Sequence, residues 1–489
     1  MPTGKITFDD VYNNIDEVGL GGASAKIIDA FIEKYKDGAL EKRVIRRRPG
    51  LLAYKDFSAF GGPNRGGFYV EKKGYSIISC LGNIYKLFSD GTTVDLTTIE
   101  DGSNHRNYLH GQERVIFSMN GSYLVMANGG EMLSFNIDTD SLNYISDTDA
   151  PDNVSHVCHL NQYTLANDIG TGRVHYSSIA NPEAWAALDF DTAESNPDNC
   201  VGLFDANNRI YVFGTKTLEQ WVNDPSRTGP FARLDYATIS TGCSAPYSIQ
   251  KLGPTFIWFD DRKKLITLEG GGVRTHSGPY DKLFQSFTTV DDAYGDVVEM
   301  LGQVFYILTF PTEDRSFLYN VTSDSWNEIG YWNTSKAAYE RFRCGYYFRA
   351  WGKHLMCDHS DGNIYEFSPD VYEDNGNIIR TLIRTGNIDH GTYQRKDNVY
   401  IDFMIQRGVG DSDDSTKDPY MGYRWRMDGD EWGDQVWLDL GKIGLSTHFA
   451  REVCLGHYKC RQDEYDLSDK VPLTFVGAEE RFKWLEEDQ

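Results

Sequence analysis

A short turn followed by a compact apolar run recurs along the chain, and this repeat constrains the fold more than any other feature. In each unit a glycine or asparagine comes first, and the apolar or aromatic run follows within three residues. A second strand-like run comes next, and roughly 25 residues are left over, which is room for two more strands. The turns begin at Gly74, Gly121, Asn161, Asn207, Gly253, Gly302 and Gly352, so neighbouring turns lie 40 to 50 residues apart.

A four-stranded unit of this length is typical of a β-propeller blade. The apolar runs have apolar residues at consecutive positions, as expected of strands buried on both faces. We therefore predict an all-β protein in which residues 51–380 form a β-propeller of seven blades. Blades bury their faces only against neighbouring blades, so the ring must close, and we expect residues 51–70 to supply the closing strand. A set of β-sandwiches with the same hairpin spacing is the alternative architecture.

Both ends of the chain depart from the repeat. Residues 23–35 have apolar residues at helical spacing, which predicts a short helix within an N-terminal arm formed by residues 1–50. Residues 381–489 contain further strand-like segments and end in a charged tail, which predicts a small antiparallel C-terminal β domain. We expect the arm to lie outside the core, so that a chain without residues 1–45 keeps a folded ring.

Charge and composition exclude several classes of protein. The chain has 48 Lys and Arg residues against 72 Asp and Glu residues, and its net charge of -24 disfavours a general nucleic-acid binder. It contains no apolar run long enough for a transmembrane helix and no apolar segment near its start, so we expect neither a membrane anchor nor a secretory signal. Eight scattered cysteines, with no C-x-x-C pair, indicate reduced packing thiols in a protein made in a cytoplasm.

Positive charge is concentrated between residues 43 and 48. Arg43, Arg46, Arg47 and Arg48 could contact phosphate, or they could pair with an acidic surface of a neighbouring subunit. Because the chain as a whole is acidic, we favour the subunit contact.

A search for catalytic and metal sites leads us to predict no catalytic residue, no metal and no cofactor. The chain lacks the nucleophile elbow, the P-loop, the dinucleotide fingerprint and the H-E-x-x-H motif. Residues 428–432 faintly resemble the aspartate box of sialidase blades, but they occur once and outside the repeat. A sialidase-like or other glycoside-cleaving propeller enzyme and a peptide-binding propeller scaffold are the alternatives to a structural protein.

Three segments have residue types that bind cations. Two groups have the spacing of metal ligands but neither supplies four ligands locally, so we interpret them as strand residues and buried thiols. These groups are Cys454, His457 and Cys460, and His354, Cys357 and His359. The acidic loop at residues 411–418 lacks the spacing of an EF-hand, and whether it binds a cation stays open.

Several segments carry motifs beyond the repeat itself. An Arg/Pro/Gly opening at residues 46–51 leads to a strand pair, residues 66–70 and 81–87, with a turn of the G-x-L/I-Y-K type. A later strand pair, residues 212–221, has the pattern Phe-Gly followed by Glu-x-aromatic, and residues 181–185 form the loop before it. In these segments the chain resembles the packaged-DNA stabilisation proteins of short-tailed bacteriophages. The likeness runs from about residue 46 to residue 380, and weakly to the end.

This resemblance implies a tail hub that catalyses no reaction. In such proteins several copies, six in the best-understood members, form a ring below the portal–adaptor complex, extend the DNA channel, retain packaged DNA and seat the needle and the tail fibres or spikes. The implied partners are other copies of the chain, the tail adaptor, the needle or fibre/spike proteins, and channel DNA bound without sequence specificity. The implied location is the virion tail, after assembly in the host cytoplasm.

Overall fold

The fold is described by a computed structural model in which nearly every regular element is a β-strand. The described residues are 2–6, 25–34, 43–58, 62–97, 109, 114–193, 198–224, 226, 229–410, 417–445 and 450–485. Within these ranges the complete helical elements are one short α-helix, Asp281–Ser286, and three 3-10 turns, Asp235–Ala237, Pro246–Ser248 and Gly278–Tyr280. The prediction of an all-β protein is confirmed.

Between residues 50 and 368 the described strands pair into seven four-stranded antiparallel units, which we number as blades 1 to 7 in chain order. From inner to outer, the strands of blade 1 are Asn64–Val70, Tyr75–Cys80, Asn83–Phe88 and Thr93–Asp95. Those of blade 2 are Ile116–Asn120, Tyr123–Ala127, Leu133–Asn136 and Ser141–Tyr144. Those of blade 3 are Val157–Leu160, Tyr163–Asn167, Arg173–Tyr176 and Phe190–Thr192. Blades 4 and 5 contain Cys200–Ala206, Arg209–Gly214, Leu218–Asn223 and Phe231–Arg233; and Gln250–Leu252, Thr255–Phe259, Leu265–Glu269 and Gly272–Thr275. Blades 6 and 7 contain Tyr294–Met300, Gln303–Phe310, Arg315–Asn320 and Ser325–Asn333; and Cys344–Ala350, Lys353–Asp358, Ile364–Ser368 and Gly50–Lys55.

The predicted turns separate the two innermost strands of every blade. Gly74 and Gly302 have φ values of 73° and 71°, and Asn161 and Asn207 have φ values of 49° and 50°. This left-handed backbone is accessible to glycine and tolerated by asparagine, which explains why these two residues mark the repeat. The apolar run that follows each turn is therefore the second strand of its blade, where neighbouring blades cover both of its faces.

The seven blades close into a ring. Each pair of neighbouring blades shares an apolar cluster, and blade 7 packs on blade 1 through Ile78, Tyr85, Leu355 and Ile364. The outer strand of blade 7, Gly50–Lys55, comes from the N-terminal side of the repeat and pairs antiparallel with Ile364–Ser368. The β-propeller prediction is confirmed.

The remaining long strands form two facing sheets, which we call the two-sheet domain. The strands of its first sheet are Thr3–Ile6, Ala30–Lys34, Arg43–Arg47, Lys396–Ile405, Ala450–Val453, His457–Tyr458 and Thr474–Trp484. The strands of its second sheet are Lys26–Ile28, Thr381–Arg384, Tyr420–Met427, Val436–Asp439 and Arg461–Leu467. Residues from both sheets, including Ile45, Ile383, Phe403, Tyr465 and Phe475, form one core between them. Short strands at Ala338–Arg341, Glu373–Asp374 and Asn377–Ile378 extend blades 6 and 7.

The helix predicted for residues 23–35 is wrong over the residues that the structure describes there. Lys26–Ile28 and Ala30–Lys34 are strands, and Asp29 between them has a φ of 56°. Apolar side chains are covered on both faces: Ile32 lies in the two-sheet core, whereas Phe31 packs on Phe305 of blade 6 with ring centroids 5.0 Å apart. Burial on two faces thus produced the spacing that resembled a helix. Because these strands belong to the core, we now expect deletion of residues 1–45 to unfold the two-sheet domain.

The propeller and the two-sheet domain share a continuous sheet. Ile28 pairs in parallel with Glu328 in the outer strand of blade 6, and its strand pairs antiparallel with Thr381–Arg384. Backbone hydrogen bonds therefore run without interruption from the inner strand of blade 6 to the far edge of the two-sheet domain.

Candidate functional site

An axial cavity of about 590 Å³ lies at the centre of the propeller. Its apolar walls include Phe68, Ile116 and Val297 from three different blades. At the ends of the inner strands the lining becomes charged, with Lys251, Glu299 and Arg349. The volume is within the range of small-molecule sites, but a central cavity also follows simply from arranging seven blades in a ring.

Side chains cross the propeller axis where the inner strands begin. Arg114, just before blade 2, donates to the Gly295 carbonyl at 2.9 Å and to the Asp296 carboxylate at 2.6 Å in blade 6. Blades 2 and 6 are not neighbours, so these bonds must span the centre of the ring. Burial raises the pKa of Asp296, and the Arg114 guanidinium opposes that shift.

Two contacts between aromatic rings add to this crossing. His156 in blade 3 stacks on Tyr247 beside blade 5 with centroids 5.4 Å apart, and Phe117 in blade 2 meets the edge of Tyr346 in blade 7 at 6.4 Å. Burial lowers the pKa of His156 to about 4, so its imidazole is neutral at pH 7. Together with the Arg114–Asp296 pair, these rings brace blades that are otherwise separated around the ring.

The structure brings the four predicted arginines to one strand and the turn after it, but it does not expose them as a group. Arg43 and Arg46 lie on the strand Arg43–Arg47, and Arg46 forms an ion pair with Glu33 on the neighbouring strand. Arg46 keeps 41% of its side chain exposed. Of the four, Arg47 and Arg48 are fully buried in the chain itself, and for these two the prediction of a subunit or phosphate contact is wrong.

Arg47 anchors the strand Arg43–Arg47 of the two-sheet domain to distant chain segments. Its guanidinium donates to the Val471 carbonyl at 2.9 Å and also to the carbonyls of Asp469 and Ile379. Burial lowers its pKa to about 10, and the positive charge of Arg48 adds to this effect. The side chain is thus solvated by backbone oxygens from segments more than 300 residues away.

Arg48 joins the propeller to the two-sheet domain. Its Nε lies 2.7 Å from Asp29, and its two terminal nitrogens lie 2.8 and 2.6 Å from the oxygens of Asp374. The same nitrogens donate at 3.0 Å to the carbonyls of Pro49 and Gly330. All five N–H groups of the guanidinium are thereby used. We call Arg48, Asp29 and Asp374 the junction cluster.

The junction cluster is held in a fully buried environment. Arg48 is 1% exposed and its guanidinium lies 5.0 Å from the ring centroid of Phe342. Burial raises the pKa of Asp29 to about 6, although Arg48 and the Gly330 N–H favour its charged form. A buried arginine with two carboxylates connects the chain segments that carry them, and removing any one member would leave a buried charge without its partner.

The three histidines of the candidate metal groups make other contacts, and the interpretation of buried thiols is wrong for Cys454, which is exposed. His457 lies 3.1 Å from an oxygen of Asp397, the Tyr347 hydroxyl lies 2.8 Å from His354, and His359 lies 3.1 Å from Arg341. Across the described ranges, no three His, Cys, Asp or Glu side chains are placed to hold one metal ion. Residues 411–416 of the acidic loop lie outside the described residues, so its cation binding stays open.

Comparison with known proteins identifies the family. A family profile described as "Bacteriophage P22 Gp10, beta-propeller" matches residues 32–372, which include all seven blades and the four arginines. The chain belongs to this family of phage stabilisation proteins. The predicted resemblance is thereby confirmed for the propeller region. No curated protein gave a match.

Solved structures share only a general likeness with this family member. The N-terminal domain of Nup159 is 8% identical, with 70% of this chain and 99% of that chain covered at a TM-score of 0.38. U3-55K is 8% identical, with 66% of this chain and 98% of that chain covered at a TM-score of 0.40. The extracellular domain of the BT4673 protein of B. thetaiotaomicron is 11% identical, with 74% of this chain and 39% of that chain covered at a TM-score of 0.32. We draw no conclusion about function from likenesses at this level.

Sequence reasoning found the arginines but missed what they contact. Asp29 and Asp374 lie 19 and 326 residues from Arg48, and Arg114 lies 182 residues from Asp296. Asp29 gave one local signal, since an aspartate interrupts an otherwise apolar run at residues 27–32. Asp374 and Asp296 gave no such signal.

Among the described residues, no helix is long and apolar enough to cross a membrane.

Proposed function

We propose that this chain is a tail hub of a short-tailed phage virion. Several copies, six in the expected ring, attach below the portal–adaptor complex, extend the DNA channel and retain packaged DNA. The ring also seats the tail needle and the fibres or spikes. The observation that carries the proposal is the family match over residues 32–372.

The architecture supports a mechanical role. Packaged DNA presses outward, and a component that retains it must resist deformation rather than recognise bases. The closed ring of blades, the side chains that cross its axis, and the junction cluster connect distant segments through buried contacts. A closed ring also leaves few long strand edges exposed.

The size of the axial cavity argues that DNA passes between copies of the chain and not through one propeller. A sphere of the same volume is about 10 Å across, whereas the major groove of a DNA duplex alone is about 12 Å wide. The Arg114–Asp296 pair also spans this space. In the proposed ring, the channel wall is therefore an outer surface of each copy.

The axial cavity gives little support to the alternative of a propeller enzyme. Asp296 is paired with Arg114, and Asp205 lies 3.3 Å from Lys251. The segment that resembles an aspartate box lies in the two-sheet domain, where Asp428 accepts hydrogen bonds from the backbone of Lys459 and Cys460. These carboxylates are engaged in ion pairs or hydrogen bonds, and we propose that the chain has no catalytic activity.

The proposal is tested in the phage that encodes the chain. A phage without the gene, grown in cells that lack a complementing plasmid, should give heads that package DNA but lose it during purification. A plasmid with the wild-type gene should restore DNA-filled particles, and mass spectrometry should find several copies of the chain per particle. Heads that stay filled without the chain, or purified particles that lack it, would contradict the proposal.

A further inference from the structure

The N-terminal strand Thr3–Ile6 lies in a groove at the edge of the two-sheet domain. It pairs antiparallel with one strand, in a register that sets Thr3 opposite Arg481 and Ile6 opposite Ala478. The Phe482 N–H donates to the Pro2 carbonyl at 3.3 Å and extends the pairing. Within the described residues this strand has no second partner strand, so it is held as an added edge strand.

The groove is shaped for a small residue followed by a large apolar one. A Cβ placed on Gly4 would lie 2.3 Å from ring atoms of His390. His390 is fixed in turn, because it stacks on Phe482 and lies 3.0 Å from the Glu480 carboxylate. Two positions later, Ile6 is 3% exposed and packs in the two-sheet core. Only a strand with glycine and an apolar residue at this spacing fits the groove.

The link between this strand and the next one is much longer than the domain requires. Eighteen residues, 7–24, separate Ile6 from Ala25, yet both ends are buried in the same core. Facing sheets are about 10 Å apart, and connections of a few residues span such gaps. Fully extended, eighteen residues reach about 60 Å. The chain length therefore allows the strand to reach the same groove on another copy.

We propose that, in the assembled ring, Thr3–Ile6 of each copy occupies the groove of the neighbouring copy. This inference rests on the proposed function, because it requires a ring of copies. Exchange conserves every contact of the strand, since donor and acceptor are identical chains, and it is a low-cost route to association. Each copy would then be connected to the next through a strand that must leave its groove before the ring can open.

The exchange is tested with a pair of cysteines across the groove. Lys5 and Glu479 are opposite each other and exposed, so Lys5→Cys with Glu479→Cys should form a disulfide. Both changes are made in full-length chain carrying Cys454→Ser, because Cys454 is exposed. Purified phage particles are oxidised and run on a non-reducing gel. We expect most of the chain to migrate as covalent dimers and larger species.

Two controls make the result specific. Val222→Cys with Ala232→Cys joins facing strands of blade 4, and this pair should leave the chain monomeric. Gly4→Val added to the groove pair should abolish the larger species, because a side chain at Gly4 meets His390. Larger species that persist with Gly4→Val would overturn the exchange.

The outcomes also separate the two proposals. Particles that contain the chain but give only internally bridged monomers would overturn the exchange and leave the tail-hub proposal standing. Particles that lack the wild-type chain would overturn the tail hub and the exchange together.

Discussion

Arg48 shows how much one side chain can connect when it is buried with all its hydrogen-bond partners. It contacts a carboxylate from the strand region before it, a carboxylate after blade 7, and a carbonyl in blade 6. The nearby Arg46 has the same side chain but keeps 41% of it exposed, and it forms an ion pair with Glu33 on a neighbouring strand. Two arginines two positions apart therefore have very different expected effects on stability.

We expect Arg48→Met to reduce the free energy of unfolding by about 3–5 kcal/mol, because it leaves Asp29 and Asp374 buried without a cation. The matched control is Arg46→Met, for which we expect a loss of no more than about 1 kcal/mol, as for an exposed ion pair. Urea unfolding of the purified chain measures both. Equal losses in the two variants would contradict the assignment of Arg48 as the junction residue.

Glu480 predicts a dependence of stability on acid pH. Burial alone would raise the pKa of Glu480, but Arg461 at 2.7 Å and hydrogen bonds from His390 and Asn398 lower it from an ordinary 4.5 to about 2. A lowered pKa stabilises the fold above pH 4.5, and this contribution is lost as the pH falls from 4.5 to 2. It amounts to about 3 kcal/mol.

Glu480→Gln tests this contribution. The variant should be clearly less stable than the wild type at pH 7, and the difference between their free energies of unfolding should shrink between pH 5 and pH 2. Denaturant unfolding at a series of pH values measures the difference. A constant difference over that range would show that the charge of Glu480 does not stabilise the fold.

At the scale of single elements, the closing strand Gly50–Lys55 is the point where the ring depends on an element distant in sequence. Gly50 begins this strand in a crowded place, since a Cβ there would lie 2.4 Å from the Glu373 carbonyl and 2.6 Å from the Val371 carbonyl. Those atoms are backbone, so they can yield only if the strand moves. The absence of a side chain at Gly50 is therefore a condition for seating the closing strand.

Gly50→Ala should destabilise the protein by about 1–3 kcal/mol through overpacking. Gly278→Ala is the control, because Gly278 has open space around its Cβ position and no left-handed φ. Thermal unfolding should give a lower midpoint for Gly50→Ala and an unchanged one for Gly278→Ala. An unchanged midpoint in both would show that the closing strand tolerates displacement.

The elements that a local pattern specifies could be predicted from the sequence. The prediction failed for strands that are buried between the propeller and the two-sheet domain. Turns such as Gly74 and Asn161 need left-handed backbone, so their residue types disclose the hairpins directly. Ile28 and Phe31 are buried where the propeller meets the two-sheet domain. A pattern of apolar residues cannot distinguish a strand that is covered on both faces from a helix. The two-sheet domain, assembled from both ends of the chain, was for the same reason predicted only in its C-terminal half.

For the whole molecule, the centre of the ring is the feature that sequence could least anticipate. Arg114 and Asp296 meet because two blades that are far apart around the ring face each other across the axis. No periodicity specifies which inner-strand residues make such contacts, because each blade has several inner-strand side chains near the axis. The repeat predicted a ring of blades around an axis. Only the three-dimensional arrangement shows that an ion pair and contacts between aromatic rings connect opposite blades across that axis.

The origin of the closing strand has a consequence for biosynthesis. Gly50–Lys55 leaves the ribosome before any blade exists, and its partner Ile364–Ser368 follows about 300 residues later. At about 5–20 residues per second, this strand waits roughly 15–60 s for its partner. The strand Arg43–Arg47 waits longer still for its second partner strand, Thr474–Trp484. Newly made chains therefore hold unpaired strand edges throughout translation, and a truncated translation product would be a nucleus for aggregation inside the infected cell.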